Sequence, residues 1–268
     1  MGEHSIEPEK KKKKSGAVTI ALHILLVVLI IIALCGIAYM VWVYVTSEQA
    51  AQKQKETPEP TVVEDPEPEL VENPIDFAAL QEENPEIYAW IYIPNTDVNL
   101  PILRSLSDDN YYMDHDQDGN YSAAGAIFTQ SMNGMDFQDP VTVVYGHNMN
   151  NGSMFATLHY FEDEQFFADN STMYIYTPGH IYTYEVVAEY QYDNRHIMNS
   201  FDFSNRETVE QYFADVLNPQ SLVMQVREGA TLTADDKIVQ LSTCTGDANR
   251  LTNRYLVTGK LISDELTY

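Results

Sequence analysis

The chain has 268 residues, of which 15 are Lys or Arg and 40 are Asp or Glu, giving a formal charge of −25 and a pI of about 4.4. That balance excludes a general binder of nucleic-acid phosphates, which depends on clustered cations that release counterions. Two cysteines in the whole chain exclude a disulfide-stapled miniprotein and a zinc site of four thiolates, while the length permits a sizeable core.

Residues 1–16 form a short tail that carries five lysines at positions 10–14. Residues 17–45 then run for 29 positions without Asp, Glu, Lys or Arg. About 20 apolar residues suffice to cross a bilayer, and a cleaved signal peptide would carry an apolar stretch of only about 7 to 15. The segment is therefore expected to be an uncleaved single transmembrane helix, with Tyr39, Trp42 and Tyr44 as an interfacial belt. Flanking lysines keep the N-terminus cytoplasmic, so the remainder is expected outside the cell membrane. Without the five Lys and three Glu of residues 1–16, the rest holds 10 basic and 37 acidic residues, a charge of −27.

Residues 46–74 are rich in Gln, Glu, Pro, Val and Ala, a composition that cannot build a core and reads as a solvated linker. As a coil of about 28 residues it would span roughly 30 Å. Residues 75–268 have the size of one domain. Asp76 is the expected N-cap of a short helix, followed by a second helical turn and a strand. Strands are expected at 91–94, 98–103, 125–129, 140–146, 171–178, 181–192, 237–244 and 254–262, bounded by Gly, Pro, Asn and Asp. This mainly β pattern points to a barrel or sandwich.

Two helical passages interrupt the strands. One covers 152–169, with Phe155, Leu158, Phe161, Phe166 and Phe167 as its apolar stripe; the other covers 205–217, with Val209, Tyr212, Phe213, Val216 and Leu217. Both stripes read as core packing. Glycine-rich phosphate loops are absent from the sequence, which gives nucleotide chemistry no support. The acidic stretch 108–121 offers oxygen ligands but has no Glu where a calcium loop requires one, so no metal and no cofactor are expected.

Cys35 falls in the apolar span, leaving Cys244 as the sole cysteine of the outer domain and ruling out a disulfide within it. A lone thiol in an exported domain is either buried and inert or kept for its chemistry. Cys244 ends an apolar strand, and Arg254 opens the next one ten residues later. Antiparallel pairing of the two would bring the guanidinium to the thiol, where a fixed cation favours thiolate and can bind an oxyanion. Arg250 is the alternative cation, although it lies mid-loop. The chemistry also wants a proton donor, and of seven histidines His147 stands apart: an apolar strand runs out at Gly146 and delivers it into a Gly/Asn-rich loop.

These motifs, YGHNM at 145–149 with GSMF at 152–155, LSTC at 241–244 and RYLVTGKL at 254–261, resemble the sortases, membrane-tethered cysteine transpeptidases of Gram-positive bacteria. The entry region 75–103, the DNYYM stretch at 109–113 and the helical insert near 204–218 are similar to class B in particular. The resemblance implies the eight-stranded sortase β-barrel with N-terminal helices and a helical insert. It implies Cys244 as nucleophile, His147 as general acid and then base, and Arg254 as oxyanion holder, with Ser242 and Met113 at the substrate. Expected partners are secreted proteins with a C-terminal sorting signal, cleaved after Thr, and a peptidoglycan precursor or cross-bridge amine. A pilin-polymerising sortase and a hydrolytic cysteine protease stand as alternatives. Two positions depart from the family pattern: Gln240, where Thr is commoner and which is expected to face away from the chemistry, and Met113, where class B commonly has Leu.

Overall fold

The computed structural model describes residues 15–56, 70–245 and 253–268, and the chain divides into two compact units at residue 67. The first unit holds one helix, α1 (Ser15–Glu56). Its stretch Leu22–Gln49 is long and apolar enough to cross a membrane, about 42 Å at 1.5 Å per residue, and its side chains are exposed. The expected spacer starts inside this helix, since residues 46–56 are helical, and its continuation through residue 69 lies outside the described residues. In the second unit, Val71 already pairs with Thr267 in a parallel bridge, and Asn73 donates to the Thr177 carbonyl at 2.9 Å.

Helix α2 (Phe77–Glu83) is capped as expected by Asp76, which accepts from the Ala79 amide at 3.1 Å. The expected second helical turn is absent. Asn84 is extended and Pro85 cannot continue the hydrogen-bond ladder, so a tight turn leads directly into β1 (Ile87–Tyr92). The barrel continues with β2 (Asn99–Leu103), β3 (Ile127–Phe128), β4 (Val141–Tyr145), β5 (Thr172–Thr177) and β6 (His180–Tyr192). Helices α4 (Ile197–Ser200) and α5 (Arg206–Leu217), then β7 (Met224–Val226), β8 (Ile238–Cys244) and β9 (Arg254–Leu266), complete it. Helix α3 (Glu164–Asp169) lies between β4 and β5.

Pairing runs β5-β1-β2-β3-β4-β8-β9-β6, and β6 returns to β5, so eight strands close into a barrel with β7 appended to the far half of β6. Two pairings are parallel, β2 with β3 and β4 with β8; the others are antiparallel. The passage 152–169 is two pieces, not one helix. Phe155, Leu158 and Phe161 follow a spacing of three, which suits the 3-10 helix Ala156–Glu162 that forms there. Asp163 then breaks the chain and caps α3 through the Phe166 amide at 2.8 Å.

Alternation along β4, β8 and β9 divides the packing into two cores. Val144, Val239, Leu241, Tyr255 and Val257 point into the barrel. Val141, Val143, Ile238 and Leu256 point outward and are covered by Val209, Tyr212, Phe213 and Val216 of α5. Asn205 caps α5 by accepting from the Glu207 and Thr208 amides. The outward set on β8 continues through Gln240 and Ser242 to Cys244, so the face that α5 covers lower down opens at Cys244. This corrects the expectation for Gln240. It shares the face of Cys244, buried beneath α5, where it accepts from the Tyr212 hydroxyl and donates to Tyr190 and Thr258.

Candidate active site

The last rung of the β8–β9 ladder pairs Cys244 with Arg254. Residues opposite each other in such a ladder share a face, and Arg254 Nη1 donates to Cys244 Sγ at 3.3 Å. The thiol is partly exposed. The alternative cation, Arg250, lies outside the described residues.

On the other side of β8, β4 runs parallel with Tyr145 opposite Ser242, and the Gly146 amide donates to the Ser242 carbonyl at 3.1 Å. Two residues further along each strand stand His147 and Cys244. The parallel register thus carries both side chains to the same end of the sheet. Gly146 is required by packing, because a Cβ there would come within 2.5 Å of Ile127 Cδ1 and 2.6 Å of Phe155 Cδ2, both on buried side chains. The absence of a side chain lets the strand run against the barrel wall right up to His147. His147 Nε2 donates to the Met113 carbonyl at 2.7 Å, and its backbone carbonyl accepts from the Phe155 amide at 2.9 Å.

Met113 ends the 3-10 helix Tyr111–Met113 with its side chain half exposed. Its structural link to His147 is therefore a main-chain acceptor that fixes the imidazole's orientation, which no side-chain pattern in the sequence announces. Ser242 is 5% exposed and lies two residues before Cys244 on the same face of β8. Tyr145, opposite it, stacks on Phe128 with ring centroids 5.5 Å apart. Burial pushes the Tyr145 phenol up to about 12 although the Arg254 charge pulls it down, so the hydroxyl stays neutral at physiological pH. This end of the sheet accordingly presents a guanidinium on the thiol, a neutral phenol at Tyr145 and His147 where the neighbouring strand runs out.

Two residues that the sequence reading passed over also meet here. Asn148 Nδ2 donates to the Cys244 carbonyl at 3.1 Å, and His159 Nε2 lies 3.0 Å from both that carbonyl and Asn148 Nδ2. The one signal available in sequence was Glu162, three residues after His159, whose carboxylate accepts from His159 Nδ1 at 2.6 Å. Three other histidines of the second unit bond elsewhere: His115 to Asp114, His180 to Asp264, and His196 to Gln130. In the acidic stretch, Asp116 accepts from the Asp118 and Asn120 amides within its own turn.

A thiol bonded by a guanidinium, with a histidine leaving the neighbouring parallel strand at the same end of a closed barrel, is suited to acyl transfer: one group attacks, one carries the proton and one holds the oxyanion. Comparison with known proteins agrees with this chemistry. The profile of the sortase domain matches residues 91–262. Sortase B of Listeria monocytogenes serovar 1/2a is 30% identical over 184 residues, covering 69% of this chain and 73% of that protein. The crystal structure of Clostridium perfringens sortase B superposes with a TM-score of 0.62 at 31% identity, over 70% of this chain and all of that one. Bacillus anthracis sortase B, crystallised in complex with AAEK1, gives 0.61 at 33% identity over 70% of this chain and 84% of that chain. These relatives favour neither the pilin-polymerising nor the purely hydrolytic alternative. With its domain match, its barrel closure and its sortase B relatives, the chain belongs to the sortase family of cysteine transpeptidases, class B.

Proposed function

We propose that Cys244, His147 and Arg254 carry the reaction, and that the substrate is a sorting motif near the C-terminus of a secreted protein. The observation that supports this most directly is the Arg254 guanidinium 3.3 Å from the Cys244 sulfur, at a strand end shared with His147. The thiolate attacks the carbonyl carbon of the Thr preceding the scissile bond. Arg254 holds the oxyanion of the tetrahedral intermediate. His147 gives its proton to the departing amine as the C–N bond breaks, leaving a thioester on Cys244. An incoming amine then attacks the thioester, His147 takes the amine's proton, and the thiolate leaves. Ser242, on the face of β8 that ends in Cys244, and Met113, whose carbonyl bonds His147, are assigned to the substrate.

The acceptor is an amine of the peptidoglycan precursor or cross-bridge. Such an acceptor is assembled at the membrane surface, which fits α1 as a single-pass anchor through residues 17–45, with residues 1–16 cytoplasmic, 46–74 as tether, its last residues from Val71 on bonded to the domain, and 75–268 as the extracellular catalytic domain. Tethering raises the effective concentration of enzyme where acceptor is made.

The test uses full-length protein in detergent micelles and a library of NPxTN-type and (S/N)PxTG-type peptides, with and without an added amine nucleophile. The expected result is cleavage after Thr by wild type, formation of an amide with the added amine, and loss of both in Cys244→Ala and His147→Ala with the fold retained. Cleavage at the wild-type rate by either variant would exclude the mechanism.

A further inference from the structure

The three short contacts around the Cys244 carbonyl have a function that the proposed mechanism leaves unassigned. Asn148 is the neighbour of His147, Cys244 ends β8, and His159 belongs to the 3-10 helix Ala156–Glu162, so three separate segments converge on one point. The His159 ring is largely buried and stacks on Tyr255 at 4.3 Å between centroids and 20° between planes, and Tyr255 faces Thr243, the residue before Cys244. The ring is thereby held from below by β9 and from the side by Glu162.

Hydrogen-bond chemistry limits how this point is filled. The Glu162 carboxylate accepts only, so His159 Nδ1 carries a hydrogen. With the ring charged, Nε2–H donates to the Cys244 carbonyl. With the ring neutral, Nε2 receives a hydrogen from the Asn148 amide. In both states Asn148 donates to the Cys244 carbonyl and the ring is bonded to one member of that pair.

We infer that His159 is a positioning residue for the transpeptidation: by bonding the Cys244 carbonyl when charged or the Asn148 amide when neutral, each 3.0 Å from Nε2, it fixes the loop that carries His147 against the strand end that carries Cys244. A proton carrier works only within a narrow distance of the group it serves, and a misplacement of about 1 Å from a remote change can cost roughly 100-fold in rate. The reaction needs His147 to reach the leaving amine while Cys244 holds the acyl group. Their relative placement rests on short segments leaving two parallel strands, where main-chain pairing has already ended at Gly146. The His159 bonds continue that pairing past the end of the ladder.

The inference rests on the assignment of His147 and Cys244 to the chemistry, and its test separates the two. Steady-state kinetics are measured with full-length protein and the peptide selected by the library, for wild type, Cys244→Ala, His159→Phe, His159→Gln, Asn148→Ala and the double variant His159→Phe/Asn148→Ala. Phe keeps the stack on Tyr255 but can fill neither hydrogen-bonding state; Gln places an amide near the Nε2 position and can fill either. His159→Phe is expected to lower kcat by about 10- to 100-fold with KM changed less than about threefold, His159→Gln to stay within about threefold of wild type, and the double variant to lose no more than the weaker single variant. An inactive wild type, or an active Cys244→Ala, overturns the catalytic assignment. An active wild type with His159→Phe within about threefold in kcat, with KM alone affected, with Gln failing as badly as Phe, or with fully additive losses overturns the positioning role. Should His159→Phe fail to fold, as circular dichroism would show, Asn148→Ala alone decides: an unchanged kcat sinks the inference.

Discussion

Arg254 Nη1 reaches Cys244 Sγ at 3.3 Å because the two residues form the terminal rung of the β8–β9 ladder. The contact is thus set by strand register, with the ten-residue separation absorbed in the connecting loop. A register shift of one residue would turn Arg254 to the barrel interior and abolish the contact.

The first prediction follows from guanidinium geometry. Arg254→Lys keeps the charge but loses the planar fork and shortens the reach. If Arg254 holds the oxyanion, kcat/KM should fall by about 10²- to 10³-fold, the usual effect of removing one oxyanion donor. Peptide cleavage kinetics measure it, with Tm close to that of wild type.

Gly146→Ala tests the close packing beneath His147. The added methyl would press on Ile127 and Phe155, whose side chains are buried. Overpacking of this kind costs about 1–3 kcal/mol and shifts backbone. The expected outcome is a lower Tm in thermal unfolding together with a reduced kcat, since the backbone that moves is the one delivering His147.

Gln240→Leu tests the buried polar cluster under α5. The amide satisfies the Tyr212 hydroxyl and bonds Tyr190 and Thr258, all buried. Leucine would strand the Tyr212 hydroxyl and take a donor from Tyr190 and Thr258, and each buried group left unpaired costs about 1–3 kcal/mol. Denaturant unfolding should show a loss of several kcal/mol, whereas Gln240→Glu should be destabilising chiefly at pH values where the new carboxyl ionises.

Glu189 supplies a pH prediction. It is fully buried in the strand wall, its oxygens lack regular hydrogen-bond partners, and burial pushes its carboxyl up to about 7, with the neighbouring Tyr255 hydroxyl opposing the shift. A carboxyl raised in the folded state is protonated more readily there than in the unfolded chain. Stability from this group is therefore highest below the unfolded value near 4.5, declines as pH rises, and levels off above about 7. Glu189→Gln should remove that decline. The variant should be more stable at pH 8, by an amount on the order of 3 kcal/mol, and nearly equal to wild type at pH 4.5, as read from paired thermal melts.

Most of the barrel was readable because its strands are runs of β-branched and aromatic residues closed off by turn formers, as in 140–146 and 181–192. β7 and α4 escaped notice, since three residues of Met224–Val226 and four of Ile197–Ser200 are too short to show a period. The pairing of Cys244 with Arg254 was readable because hairpin logic joins neighbouring strands. The Asn148–His159 contact was not, because it depends on where a 3-10 turn places a side chain relative to a main-chain carbonyl 85 residues away. Gln240 was misjudged although period two already put it on the face of Ser242 and Cys244; the burial of an amide beneath α5 needs the three hydroxyl partners that only the fold brings together.

Closure of the ring by β5 against β6 has a consequence for life at high local density. An open sheet presents unpaired amides and carbonyls that recruit strands from other molecules, and proteins crowded on one surface are especially exposed to such recruitment. Among the described residues every barrel strand has a neighbour on both sides, and the one strand added outside the ring, β7, is three residues long. The described residues thus offer other copies little template for strand addition, so many catalytic domains can stand side by side without knitting into a fibre.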